Sequence, residues 1–209
     1  MGLNYNYMLY FKKDRLWDVL QGLGDYCDNE GKAPTTIHFP DHDLVLRLMS
    51  DWGQANEHAF DKPQYQFAIS MVFDEDEAIL DYLHNRDGDR YDRSPPDDVS
   101  YRQVLIGFIY LTVYADLSKH FAFKHRSTDM VLFQFSTTGT KMSILFEESA
   151  SIRKTFIKLL ARYQGLIGIL DLEIDYGRLF WLEGEEVDYV ISDNYLLLEE
   201  IKQEMNRGY

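Results

Sequence analysis

The densest group of side chains able to bind a metal ion lies in one short segment. His38, Asp41, His42 and Asp43 fall within six residues, and imidazole and carboxylate groups suit zinc, iron or manganese. Pro40 disfavours helical geometry at the preceding residue, so no helix brings the two histidines to one face. Turns also collect Asp and Pro for backbone reasons alone. The segment is therefore either the metal site of an enzyme or an ordinary turn, and we predict no cofactor.

A second group of candidates is a ladder of carboxylates, Asp171, Glu173 and Asp175, which alternate with apolar residues. On a β-strand they share one face and lie about 6.6 Å apart. General acid–base catalysis needs carboxylates that face each other across a cleft, with one pKa raised by burial. A ladder that faces water meets neither condition. The pattern favours a solvated face or a docking surface for a basic protein partner over a catalytic site.

Basic residues cluster between positions 119 and 126, a stretch without acids. The candidates for anion binding there are Lys119, His120, Lys124 and Arg126. On a strand the last three share a face, while the two interleaved phenylalanines point the other way, into the core. The stretch therefore predicts either a small-molecule or nucleotide site that holds a phosphate, or a basic complement to the chain's own acids.

Sequence motifs of several large enzyme classes are absent. The chain contains no G-x-S-x-G, P-loop, G-x-G-x-x-G or H-E-x-x-H pattern. Its single cysteine, Cys27, permits neither an internal disulfide nor a cysteine-based metal site. We interpret Cys27 as a small core residue on the first helix.

The balance of charge restricts the classes of partner. Asp and Glu number 35 against 21 Lys and Arg, which gives a formal charge of −14. Such a chain repels phosphate backbones and anionic membranes, so we expect no general nucleic-acid or membrane binding, and a basic protein partner is favoured. The longest apolar stretch, 104–115, has 12 residues, fewer than the roughly 18 that span a bilayer. With no signal-peptide pattern at its start, the chain is expected to be soluble and cytoplasmic.

The elements that would position these residues follow from hydrophobic periodicity. Strands are predicted at 3–11, 35–39, 43–48, 65–73, 104–115, 170–176 and 179–182, with a hairpin over 130–147. Two amphipathic helices are predicted, one from Leu16 to Cys27 and one that begins after a Ser149 cap. A final helix starts near Asp193.

These elements predict an α+β fold, with a mainly antiparallel sheet covered by the two amphipathic helices and a C-terminal helix. A strand-and-helix echo between 8–23 and 144–159 suggests a duplicated βαβ-containing unit as an alternative. We predict a single domain over 1–209. A division into 1–85 and 100–209, around an acidic insertion at 74–98 that carries ten acids and three arginines, stays open.

Three hypotheses about function follow. The first is a non-enzymatic interaction protein that presents an acidic face, at 74–98 or 171–188, to a basic protein partner; an inhibitor or immunity-type protein is one form of it. The second is a metal-dependent enzyme that uses His38–Asp43. The third is a small-molecule or nucleotide binder that uses Lys119–Arg126.

Overall fold

The fold was analysed in a computed structural model that describes residues 2–28, 34–48, 56–87, 102–120, 122–123, 129–174 and 176–207. The strands are β1 (Asn6–Lys12), β2 (Thr35–His38), β3 (Asp43–Leu46), β4 (Asn56–Ala59), β5 (Gln64–Asp74), β6 (Gln103–Tyr114), β7 (Met130–Ser136), β8 (Ile167–Asp171), β9 (Gly177–Leu182) and β10 (Glu185–Ile191). The helices are α1 (Leu16–Leu23), α2 (Glu77–Asp87), α3 (Thr140–Glu148), α4 (Ala150–Arg162) and α5 (Leu198–Arg207).

Seven strands form one sheet in the order β10-β9-β8-β1-β7-β6-β5, and every neighbouring pair is antiparallel. A smaller sheet has the order β3-β2-β4, in which β2 and β4 are parallel. The predicted α+β fold, with a mainly antiparallel sheet and a C-terminal helix, is confirmed. Strands from both sides of the 74–98 segment join the large sheet, because β5 precedes that segment and pairs with β6 after it.

The central strand β1 is buried on both faces. Tyr7, Leu9 and Phe11 join the core that also contains the apolar sides of α1, α3 and α4. Met8 and Tyr10 point the other way, into a second core that contains Ile201 of α5. Apolar runs without polar alternation are typical of strands covered on both sides. The large sheet accordingly lies as a middle layer between the two cores.

Phe156 of α4 lies at the centre of the larger core and is fully buried. Its ring centroid is 4.4 Å from that of Tyr7 and 4.8 Å from that of Phe135. Phe73 and Phe146 lie farther out, each with its ring centroid 6.4 Å away. Through this one side chain, α4 contacts aromatic residues of β1, β5, β7 and α3.

The starts of α2 and α4 share one carboxylate, that of Asp76. Its Oδ1 accepts a hydrogen bond from the Ile79 backbone N–H at 2.9 Å, which caps α2. Its Oδ2 accepts from the Ser149 hydroxyl at 2.7 Å and from the Ser151 backbone N–H at 2.9 Å. Ser149 in turn accepts from the Ile152 N–H at 3.1 Å, which confirms the predicted cap. Two helix N-termini are thus satisfied through one acid.

Replacement of Ser149 by Ala is expected to lower the free energy of unfolding by about 1–2 kcal/mol, because α4 loses its cap and Asp76 loses a donor. Chemical denaturation measures the change. The control Lys154→Ala truncates an exposed side chain of the same helix and should change the stability by less than about 0.5 kcal/mol. Equal effects of the two substitutions would contradict the role given to Ser149.

The predicted hairpin over 130–147 is wrong in its second half. Its first strand is β7, but Thr140–Glu148 forms α3. Met142, Leu145 and Phe146 are buried while Ile144 is exposed, which is helical spacing and not alternation. The segment compared with β1 in the suggested duplication is therefore helical, and the two segments differ in structure.

Smaller differences concern element bounds. The strand predicted at 170–176 is β8 and ends at Asp171, and a further strand that was not predicted, β4, precedes β5. Cys27 follows α1 in extended conformation and bridges to Met71 instead of ending the helix. The C-terminal helix begins at Leu198, five residues later than predicted. None of the helices in the described ranges combines the length and apolarity needed to cross a membrane.

Candidate functional site

One end of the large sheet is formed by the β9–β10 hairpin. Glu183 and Gly184 connect the strands with φ angles of 47° and 102°, as the two-residue turns that suit the twist of hairpins require. The Glu183 carboxylate binds the Lys202 ammonium of α5 at 2.8 Å, and this bond raises the pKa of Lys202 above its ordinary value. This ion pair connects the turn to the C-terminal helix.

Strand β10 is an edge strand. Within the described ranges β10 pairs only with β9, and its outer side adjoins no other strand. Glu185, Glu186 and Asp188 are exposed along it, whereas Val187 and Tyr189 are half-buried and pack on the second core. Acidic side chains on an edge discourage unselective strand pairing. The outer side of β10 is therefore not paired with another described strand, and acidic side chains lie along it.

A groove of about 610 Å³ runs between α4 and the β9–β10 hairpin. Half-buried Ile157 and Val187 contribute apolar surface to it, and buried Phe180 lies at its base. Arg153 of α4 lies over the Phe180 ring, with its guanidinium carbon 5.7 Å from the ring centroid. The Asp188 carboxylate lies 4.0 Å from Arg153 and 3.7 Å from Arg178, so it is on the groove side of β10. The groove thus has a helix as one wall and an edge strand as the other.

Glu185 and Glu186 contribute charge that the rest of the edge does not neutralise. Both side chains are exposed, and neither forms an ion pair with any described residue. Asp188, with 73% of its side chain exposed, is partly offset by its two arginines. Exposed pairs of this kind contribute little stability, so these carboxylates are available to a partner.

The predicted metal ligands do not converge. His38 donates from Nδ1 to the Asp43 carboxylate at 2.8 Å, and His42 donates from Nδ1 to the Asp41 carboxylate at 2.9 Å. All four side chains are exposed, and the bond to Asp43 raises the pKa of His38. His42 also stacks on Phe39. Among the described residues, no group of three or more His, Cys, Asp or Glu side chains is placed to hold a metal ion.

The predicted anion-binding residues that the structure describes point in different directions. Lys119 is exposed at the end of a 3-10 turn and lies 3.7 Å from Asp116. His120 is buried, its ring packs on Tyr114 at 4.4 Å between centroids, and burial lowers its pKa. Lys124 and Arg126 lie outside the described residues. His120 follows the 3-10 turn and is buried, so it does not lie on the exposed strand face predicted for His120, Lys124 and Arg126.

The carboxylate ladder is not formed, because Asp171 is buried at 7% exposure at the end of β8. It accepts hydrogen bonds from the Asn6 amide at 3.1 Å, the Asn194 amide at 2.8 Å and the Glu173 backbone N–H at 2.9 Å. Burial raises the pKa of its carboxyl. Glu173 is exposed in a bend with φ 57°, and Asp175 lies outside the described residues. Asp171 is thus an internal hydrogen-bond acceptor rather than part of a docking face.

The acidic segment 74–98 is described as far as residue 87, and two of its acids there serve the fold. Asp74 lies 3.7 Å from the Lys158 ammonium of α4, and Asp76 caps two helices as described above. Ile79 and Leu83 lie on the helix α2 within this segment. Residues 88–98 lie outside the described residues.

Comparison with known protein families, with curated proteins and with solved structures found no match to this chain. Its function is therefore inferred from its own geometry.

The acids of β10 belong to the 171–188 stretch of the leading hypothesis, but sequence reasoning did not place them on a strand. The sequence does contain a pattern typical of this strand, because Val187, Tyr189 and Ile191 occupy alternate positions after a glycine. The glycine follows Glu183, which is not among the residues preferred for positive φ, and this obscured the turn.

Proposed function

We propose that this protein is a non-enzymatic interaction protein that binds a basic segment of a protein partner at the β10 edge. The observation that supports it best is an open edge strand with three exposed acidic side chains, Glu185, Glu186 and Asp188. A formal charge of −14 over the whole chain adds a long-range attraction for a basic partner. An inhibitor of a basic protein is one form that such a function takes.

A second copy of this chain fits the edge poorly. Pairing of two β10 strands would bring Glu185, Glu186 and Asp188 of each copy close to those of the other. Like charges placed opposite each other across a strand pair are destabilising. The charge of the edge thus favours a partner of opposite sign over self-association.

Complementary charge gives fast association and strong dependence on salt. We expect peptides of about ten residues, selected from a displayed random library at about 50 mM salt, to be enriched in Lys and Arg. Their dissociation constants should rise about tenfold or more at about 500 mM salt. The Debye length there is only about 4 Å, so the attraction between exposed charges is largely screened. Fluorescence anisotropy of labelled peptides measures this change.

The double variant Glu185→Lys/Glu186→Lys is expected to weaken binding of these peptides by about tenfold or more at low salt. The matched control is Glu147→Lys/Glu148→Lys, which reverses two adjacent exposed acids at the end of α3. It changes the net charge of the chain equally. Similar losses in both variants, or selection of neutral and acidic peptides, would sink the proposal.

A further inference from the structure

We infer that the partner segment binds in extended form and adds to the large sheet as an eighth strand beside β10, with basic and apolar residues in alternation. This inference rests on the proposed function and names how the same edge recognises its partner. Three features of the edge support it: its open backbone, the pattern of its side chains and the adjoining groove.

The backbone of β10 offers hydrogen bonds on its outer side. In an antiparallel pair the N–H and C=O groups of alternate residues point away from the neighbour. β10 has seven residues, Glu185–Ile191, and β9 is its only partner in the described ranges. An added strand would satisfy these outward groups, which is the source of affinity in peptide recognition by strand addition.

The side chains of β10 specify what such a strand carries. Glu186 and Asp188 line the groove, and half-buried Tyr189 packs on the second core. A β-bulge lies between Glu186 and Tyr189, and half-buried Val187 within it contacts the second core and also lines the groove. Side chains directly opposite on neighbouring strands contact one another, and opposite charges or apolar pairs stabilise the pairing. The bound strand therefore carries Lys or Arg on the face of Glu186 and Asp188, and apolar residues on the other face.

The β10 wall of the groove suits long basic side chains, whereas the α4 wall carries Arg153 and Lys154. Asp188 is on the groove side, and half-buried Val187 supplies apolar surface next to it. Lys and Arg bury their methylene stems on apolar surface while the charged head stays in water. Here the stems would lie over Val187 and the heads would reach the acids of β10, away from the basic residues of α4.

The test uses the salt-sensitive peptides selected against the wild-type protein. Each is synthesised in two further forms, with backbone N-methyl groups on alternate residues, so that one form blocks the N–H groups of one edge and the other form those of the opposite edge. Because only one edge of an added strand faces β10, one form should bind about tenfold or more weakly and the other about as well as the parent. Hydrogen exchange should also slow at β10 amides when the parent peptide binds.

Equal binding of both N-methylated forms, with no slowing of exchange at β10, would overturn strand addition. If the Glu185→Lys/Glu186→Lys variant still lost affinity, the proposed function would stand and only the mode of binding would be wrong. If the proposed function itself were wrong, the outcome would differ. Binding of the peptides would then depend neither on salt nor on the Glu185→Lys/Glu186→Lys substitutions.

Discussion

Replacement of Phe156 by Ala is expected to lower the free energy of unfolding by about 4 kcal/mol, among the larger costs for a single truncation in a core. The side chain is fully buried and contacts Tyr7 and Phe135 at centroid distances of 4.4 Å and 4.8 Å. Its removal leaves a cavity where α4 meets the sheet, and the surrounding rings belong to separate elements that cannot all move inward. Urea or guanidinium denaturation measures the loss.

The matched control is Tyr176→Ala, which removes an aromatic ring that is 46% exposed. We expect it to change the free energy of unfolding by less than about 0.5 kcal/mol. A cost for Phe156→Ala no greater than that of the control would show that α4 is not packed on the sheet through this residue.

Replacement of Asp171 by Ala is expected to lower the free energy of unfolding by about 2–4 kcal/mol, because three donors, two of them in buried hydrogen bonds, lose their acceptor at once. These are the amides of Asn6 and Asn194 and the backbone N–H of Glu173. The conservative change Asp171→Asn should cost less. It keeps one acceptor oxygen, and its new amide can donate to Asn6 or Asn194, whose Oδ1 atoms have no hydrogen-bond partner among the described atoms.

The pH dependence of Asp171→Asn distinguishes a buried carboxyl from an exposed one. Burial raises the pKa of Asp171 in the folded state, so between the unfolded and folded pKa values the folded protein binds a proton that the unfolded chain does not. This contribution to stability is complete below the unfolded pKa and is lost as the pH rises through the folded pKa.

The wild type should therefore gain stability relative to Asp171→Asn as the pH falls from neutral through that window. Denaturation of both proteins at a series of pH values measures the difference, and the remaining carboxylates, common to both, cancel in it. A stability difference that does not vary with pH would contradict burial of an ionisable Asp171.

The fold was largely predictable where one pattern dominated. The apolar run of β6 and the alternation in β5 and β7 gave strands near their observed positions, and Ser149 was identified as a cap because a helical apolar face follows it. The segment 140–148 satisfied two patterns at once, since Met142 and Phe146 fit both alternation and a helix. Only packing decided between them, by burying Leu145 and exposing Ile144.

The candidate site was less predictable because it depends on strand order. Sequence alone showed acids between 171 and 188 but not that β10 would be an edge, which follows from the pairing of seven strands. The alternation of acidic and apolar residues predicted that Asp171, Glu173 and Asp175 share one exposed face of a strand. The strand ends at Asp171, and a bend at Glu173 breaks the alternation, so Asp171 instead accepts bonds from β1 and from the segment before α5.

The position of β1 in the sheet has a consequence for biosynthesis. Residues 6–12 are synthesised well before their two neighbours, 130–136 and 167–171. The middle of the sheet cannot close until the chain has been translated past residue 171, and pairing over such separations is slow. Until then an apolar strand lacks both neighbours, and transiently exposed apolar surface of this kind promotes aggregation.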